Sequence, residues 1–219
     1  MSLSELWSLY GQNYIDALLA TWGMTLESFA IAMVLAVAVT VMRVSPLKPL
    51  RVFGDLYVQV FRNIPGIALL IIVVYALPPL KVVLPYRTCV IVATVLLGSA
   101  FGSENFMSGI NTVGVGQVEA ARSLGMSYGQ TMKFVIVPQA FRRMLPPLGN
   151  EAIMLLKDSS LVSAIGLAEL AFAARTVAGV YSRYWEPYLT ISLVYLVLTL
   201  AMAAGVNWLE KRYQIAHHR

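Results

Sequence analysis

The chain has 219 residues, a net charge of +5, 58% hydrophobic residues and only 12% charged ones, where soluble domains run near 25% charged. With a mean hydropathy of +0.72, that balance excludes disordered and collagen-like chains and places this one in a membrane. The lone Cys89 excludes an internal disulfide. Histidine only at His217 and His218 removes most zinc sites and histidine-based catalysis. The lack of a G-x-x-x-x-G-K-[ST] run excludes a P-loop of the chain's own.

Residues 1–18 come first. Trp7, Tyr10, Tyr14 and Leu18 recur near helical spacing, with Ser4 as candidate N-cap. That pattern predicts an interfacial helix lying on the outer leaflet. A bilayer core about 30 Å thick needs roughly 20 apolar residues per helix. Leu19–Met42 meets that as span 1, where Thr25 and Ser28 can solvate Glu27. Tyr57–Leu80 is span 2. Pro65 kinks or opens its start, and Arg62 snorkels to the cytoplasmic face. Thr88–Ile110 is span 3, whose Gly98, Ser99, Gly102 and Ser103 allow close helix contact or a cavity wall. Glu104 follows them.

Asn111–Pro147 is too long and too patterned to be a linker. Gln117–Leu124 suits a short helix, and Gly125 is a natural residue to end it. Ser127 caps a second helix running to about Val137, where Pro138 interrupts; Pro146 and Pro147 close the segment. Val118, Ala121 and Leu124 form a small apolar knob flanked by Glu119 and Arg122, suited to a cleft on a partner.

Glu119, Ala120 and Ala121, three residues, Gly125, nine residues, then Val135-Ile136-Val137-Pro138 resembles the EAA loop of bacterial ATP-binding-cassette importer permeases. Val135 and Val137 stand where that family has Ile and Leu. Tyr57–Pro65 (YVQVFRNIP), Leu145–Asn150 (LPPLGN) and Leu156–Ser160 (LKDSS) resemble the permeases for polar amino acids. The resemblance implies a single all-α permease domain over residues 1–219, with five transmembrane helices and short cytoplasmic coupling helices in residues 111–147. It also implies the partners. These are a second permease copy or a homologous permease, a cytoplasmic ATPase dimer that binds ATP and Mg, and an extracytoplasmic solute-binding protein. The chain itself would hold no cofactor, no metal and no catalytic residue. Glu119, Ala120, Ala121, Leu124, Gly125 and Pro138 would couple it to the ATPase.

Leu148–Ala174 is long enough for span 4 but contains Glu151, Lys157, Asp158 and Glu169, so it reads as broken or partly re-entrant. Charge in lipid costs about 2.5–3.5 kcal/mol on insertion scales. Asp158 lies ten residues into the span, which at about 1.5 Å each reaches the midplane of a core about 30 Å thick. Ser159 and Ser160 can break the helix there, exposing N–H groups at a positive helix end. Asp158 then pairs with the ammonium of an amino acid, and the N–H groups and hydroxyls at Ser159–Ser160 take its carboxylate. The alternatives are a local Lys157–Asp158 charge arrangement or a cap. Glu104 and Ser99 are further substrate candidates, with Glu104 bonding at an interface as the other reading. Here the chain departs from relatives, which often carry Asn-Tyr-Gly where it has Leu97-Gly98-Ser99. Glu151 and Glu169 read as solvated at span ends.

Pro187–Leu209 is span 5. Tyr181, Tyr184, Trp185 and Tyr188 gather at its outer end as an interfacial belt or a docking surface. Ten of the sixteen Lys and Arg residues fall after span 1, after span 3 and in the tail. That places the N-terminus outside and the C-terminus inside and leaves no surplus for nucleic acid; the resemblance implies a bacterial cytoplasmic membrane. The expected function is import of a polar amino acid, of the glutamate/aspartate or glutamine type. A stand-alone secondary transporter or channel is the alternative, and a carboxylate-based membrane enzyme a third reading.

Overall fold

The structure is a computed structural model that describes residues 3–213. His217 and His218 lie outside the described residues, which contain helices and connecting turns but no strand. Three helices are long and apolar enough to cross a bilayer alone, and two bent pairs raise the number to five.

The first is α1, Leu3–Arg43. The structure corrects the expectation of a separate interfacial helix over residues 1–18, because α1 runs through without a break. Tyr10, Tyr14 and Leu18 do form a face, but it packs on the helix α8, Leu170–Tyr181, through Leu170, Ala174 and Val177. At 41 residues α1 is roughly 60 Å long, about twice the core.

Span 2 also departs from a straight helix. Lys48–Asn63 forms α2, an amphipathic helix. It ends at Ile64–Pro65, and the chain turns by 101° into the segment Gly66–Leu80. That segment is α3, Gly66–Ile71, followed by a π turn and a short 3-10 turn. Pro65 does what its lack of an N–H dictates and opens the helix rather than bending it.

Helix α4, Tyr86–Asn111, runs parallel to α1. A Cβ on Gly98 would lie 3.2 Å from Ala32 Cβ, and one on Gly102 would lie 2.9 Å from Ala36 Cβ and Met33 Cε. The small-residue run is therefore a helix contact and not a cavity wall. Thr40 Oγ1 donates to Ser103 Oγ across it at 3.0 Å.

After the loop helix α5, Val115–Ser123, a helical run extends over Tyr128–Ile165. It comprises α6, Tyr128–Thr131, a π turn over Met132–Ile136, α7, Val137–Asp158, and a 3-10 segment over Ser159–Ile165. The expected stops at Pro138, Pro146 and Pro147 are corrected. The π turn just before Pro138 widens the backbone where its ring would meet the carbonyl of Phe134. Pro146 and Pro147 lose two helical bonds, yet Ala140, Met144, Glu151 and Leu155 stay buried, and tertiary contact carries the helix through. Gly109 meets Ala140 and Met144, and Gly149 meets Val206 of the last helix, α9, Trp185–Arg212.

Gly166, at φ +80°, ends the 3-10 segment. Glu169 then caps α8, accepting from the Ala171 and Phe172 N–H groups at 2.8 and 2.7 Å. Tyr195 OH donates to Glu169 Oε2 at 3.1 Å, and Leu170 N–H donates to Thr21 Oγ1 at 3.1 Å. Glu169 is 0% exposed and Glu151 is 3% exposed. Neither is solvated at a span end, which corrects that reading. Glu151 accepts from Asn105 Nδ2 at 2.6 Å.

Gly102→Ala is expected to cost about 1–3 kcal/mol by overpacking against Ala36, read as a lower thermal midpoint in detergent. Gly179→Ala meets nothing within 4 Å and should leave stability unchanged or raise it by about 0.5–1 kcal/mol. Glu169→Ala removes both cap acceptors and should cost more than the ~1 kcal/mol of an ordinary cap, with faster hydrogen exchange at the Ala171 and Phe172 amides. Glu169→Gln keeps one oxygen and should lose less; equal losses in the two variants would sink the capping role.

Candidate functional site

Two regions carry the residues singled out above. The first is the loop between α4 and α7. α5 ends in a complete Schellman motif: Gly125 N–H donates to Arg122 O at 2.9 Å, and Met126 N–H donates to Ala121 O at 3.2 Å. Gly125 holds φ at +79° with nothing within 4 Å of a Cβ, so its backbone alone demands glycine. Ser127 then starts α6 with a capping box to Gln130. Tyr128 OH donates to Val44 O at 3.0 Å, tying the loop to the end of α1.

The exposed face of α5 differs from the expected knob. Ala121 is buried, turned in toward the chain, while Leu124 is 83% exposed and Val115 is 72% exposed. Glu119, Ala120 and Arg122 are also exposed, as is Pro138. Ala121 lies on the face opposite Glu119, whereas Leu124, three residues on, shares the side of Ala121 but stands at the C-cap beyond the last turn, where it is exposed. The apolar contacts offered outward are thus Leu124 and Val115, and Ala121 seats the helix on its own chain.

The second region surrounds Asp158. Its half-buried carboxylate lines a cavity of about 30 Å³ with Gly66, Leu70, Thr94, Leu97 and Leu161. Asp158 forms no ion pair and accepts no hydrogen bond among the described residues. The helix does break here, but no new helix is capped at Ser159. Its N–H bonds back to Leu155 O and Lys157 O. Ser159 Oγ donates to Leu156 O at 2.6 Å and Ser160 Oγ to Lys157 O at 2.8 Å. The expected free donors for a carboxylate are therefore occupied at Ser159, because a 3-10 segment continues the hydrogen-bond ladder.

The structure does not bring Glu104 or Ser99 to Asp158. Ser99 is 0% exposed, and its Oγ lies 2.7 Å from Tyr57 OH. It is sealed between α2 and α4, and Leu97 lines the cavity in its place. Glu104 belongs to an ion cluster at the loop end of the bundle. Arg43 Nη1 lies 3.1 Å and Arg62 Nη1 3.4 Å from Glu104 Oε2, and Arg43 Nε lies 2.9 Å from Asp55 Oδ1. Arg62 also stacks over Phe101 at 5.4 Å. It is held by its partners where snorkelling was expected. Arg87 pairs with Glu27 at the opposite end. The YVQVFRNIP stretch thus ties α2 to α4 through Tyr57 and Arg62.

Among the described residues no group of three His, Cys, Asp or Glu side chains is placed to hold a metal ion. Sequence reasoning missed the Glu151–Asn105 and Glu169–Tyr195 contacts. An acid within a helical apolar run was the available signal.

The sequence model described as "Binding-protein-dependent transport system inner membrane component" matches residues 28–215. The chain is 37% identical over 97% of its length, and 96% of the relative's, to a probable glutamine ABC transporter permease protein, GlnM, of Bacillus subtilis. It is 32% identical to the glutamate transport system permease protein GluC of Corynebacterium glutamicum, covering 97% of this chain and 99% of that one. Among solved structures, a chain from an amino acid ABC transporter crystallised with histidines superposes with a TM-score of 0.92 at 33% identity, covering 97% of this chain and 99% of that chain. A chain of the inward-facing MetNI methionine ABC transporter, at 18% identity and a TM-score of 0.72, covers 97% of this chain and 99% of its own and shares the fold. A model matching most of the chain, full-length relatives and an α1–α4–α7 frame carrying an exposed EAA helix agree: this protein belongs to the family of inner-membrane permease components of binding-protein-dependent transport systems.

Proposed function

We propose that the chain is the transmembrane subunit of an ATP-driven importer for a polar amino acid, of the glutamine or glutamate/aspartate type named for its relatives. The observation that carries this is α5, a short helix that presents the Glu119-Ala120-Ala121 run, a glycine-ended stop at Gly125 and an exposed Leu124. Such a helix fits a groove on an ATPase subunit. The partner ATPase dimer binds ATP and Mg and performs the hydrolysis, and the chain itself is not catalytic. A second permease copy or a homologous permease completes the pathway, and an extracytoplasmic solute-binding protein delivers the amino acid. The N-terminus lies outside and the C-terminus inside.

Asp158 is proposed to meet the ammonium of the solute. It is a span carboxylate with no hydrogen bond and no ion pair among the described residues, acted on only by the charge of its neighbour Lys157, and charge there needs a function. Ser159 and Ser160 keep hydroxyl lone pairs as acceptors beside it. The cavity of about 30 Å³ is too small for an amino acid, so binding there requires it to widen. Rocking of α3 away from α7 opens it, and alternating access is the exchange between the two arrangements.

Leu124→Glu should remove a contact worth about 2 kcal/mol, lowering ATPase recovery in a mild-detergent pull-down roughly thirtyfold. Its thermal midpoint should stay unchanged, since Leu124 is 83% exposed. An ATPase that copurifies equally with the variant, or none with the wild type, rejects the importer reading and promotes a stand-alone transporter. Asp158→Asn should lower uptake at least tenfold with the complex intact, about 1.4 kcal/mol. Wild-type uptake by that variant would remove Asp158 from the site.

A further inference from the structure

A second, smaller cavity lies behind the one at Asp158. It has about 10 Å³ and sits where α1, α4 and the start of the 3-10 segment meet. Thr25, Ser28, Thr94 and Ser159 line it, with Met24 and Leu155 closing its apolar sides. Val90, Thr94 and Leu155 line both cavities. Ser28 is 1% exposed, and its hydroxyl has no hydrogen-bond partner in the structure.

A buried hydroxyl without a partner is costly, and native structures pair such groups with protein or ordered water. Dry cavities are apolar, whereas this one is lined by four hydroxyl-bearing side chains. Its volume is that of a single water, and a buried water needs two to four polar partners.

We propose that one water molecule occupies this cavity and joins α1 to the 3-10 segment. The donors and acceptors match. Thr25 Oγ1 spends its proton on Thr21 O at 2.8 Å, and Ser159 Oγ spends its own on Leu156 O at 2.6 Å. Both oxygens are left as acceptors. The water donates to them and accepts from the Ser28 hydroxyl, and Thr94 offers a fourth contact. The helical ladder changes at Ser159, one residue after Asp158. A water there can exchange partners as Ser159–Ile165 shifts between 3-10 and α geometry, so no hydroxyl is stranded during the change. The site therefore makes the element beside Asp158 adjustable without breaking its link to α1.

The test uses the full-length chain in lipid nanodiscs, with the subunits that copurify, at a resolution that shows ordered water. The wild type should show one spherical peak within hydrogen-bond distance of Ser28 Oγ and of Thr25 Oγ1 or Ser159 Oγ. Ser28→Ala should lose the peak and lower the thermal midpoint by roughly 2–4 °C. The sign of that shift discriminates. In a dry cavity, deleting an unpartnered hydroxyl relieves a cost and raises the midpoint. A cavity without density in the wild type, or a raised midpoint for Ser28→Ala, overturns the proposal. If Ser28→Ala fails to fold, the wild-type density alone decides.

Discussion

Helices in lipid gain little from hiding apolar surface from one another, because the surrounding tails are equally apolar; close van der Waals fit and polar bonds must hold them together. In this chain that constraint is met where α1 lies against α4. Ala32 faces Gly98 and Ala36 faces Gly102 with no room for another carbon. The closeness has consequences along both helices. It lets Thr40 reach Ser103 and Arg43 reach Glu104, and Arg43 in turn holds Asp55 on α2. The opposite side of α4 receives α7, through Gly109 against Ala140 and Met144 and through Asn105 on Glu151. Removing the small residues would loosen four elements and not one contact.

Charge is distributed around that frame by the same rule. The cluster of Arg43, Asp55, Arg62 and Glu104 sits at one end, and the Glu27–Arg87 pair at the other. Glu169 is consumed by a helix start and a tyrosine, and one oxygen of Glu151 by an asparagine. Each acid is tied to an element that it fixes in place. Asp158 stands apart because no side chain or cap takes its carboxylate. Glu169 and one oxygen of Glu151 are taken up locally, and solute recognition is the role proposed for Asp158.

Spans 1, 3 and 5 were legible because unbroken apolar length is a strong signal that tertiary contacts rarely overrule. The coupling loop was legible because Gly125 and Ser127 act through backbone conformation and capping, which depend on neighbours in sequence. Elsewhere the sequence underdetermined the result. Pro138, Pro146 and Pro147 carry the chemistry of helix stops, yet a π turn and the contact of α7 with α4 override them. Tyr10, Tyr14 and Leu18 form an apolar face that suits a bilayer surface as well as a neighbouring helix, and only the presence of α8 decides. Glu151 and Glu169 gain their meaning from Asn105 and Tyr195, 46 and 26 residues away, and no local pattern encodes such pairs. Ser99 and Glu104 are near in sequence to the cavity-lining residue Leu97, but Ser99 is rotated onto the other side of α4, and Glu104, about two turns on, lies roughly 10 Å further along the helix.

One consequence follows from the helical run Tyr128–Ile165, which passes from α to π to α to 3-10 geometry. A helix resists stretching far more than bending, so α7 between the two irregular stretches carries an axial push along its length. Its two irregular stretches lie at opposite ends: a π turn beside the loop and a 3-10 segment just past Asp158. The run is thus a stiff shaft with a compliant joint at each end. A tilt imposed at the first joint emerges as a rotation at the second, over a length that the three prolines shape without severing.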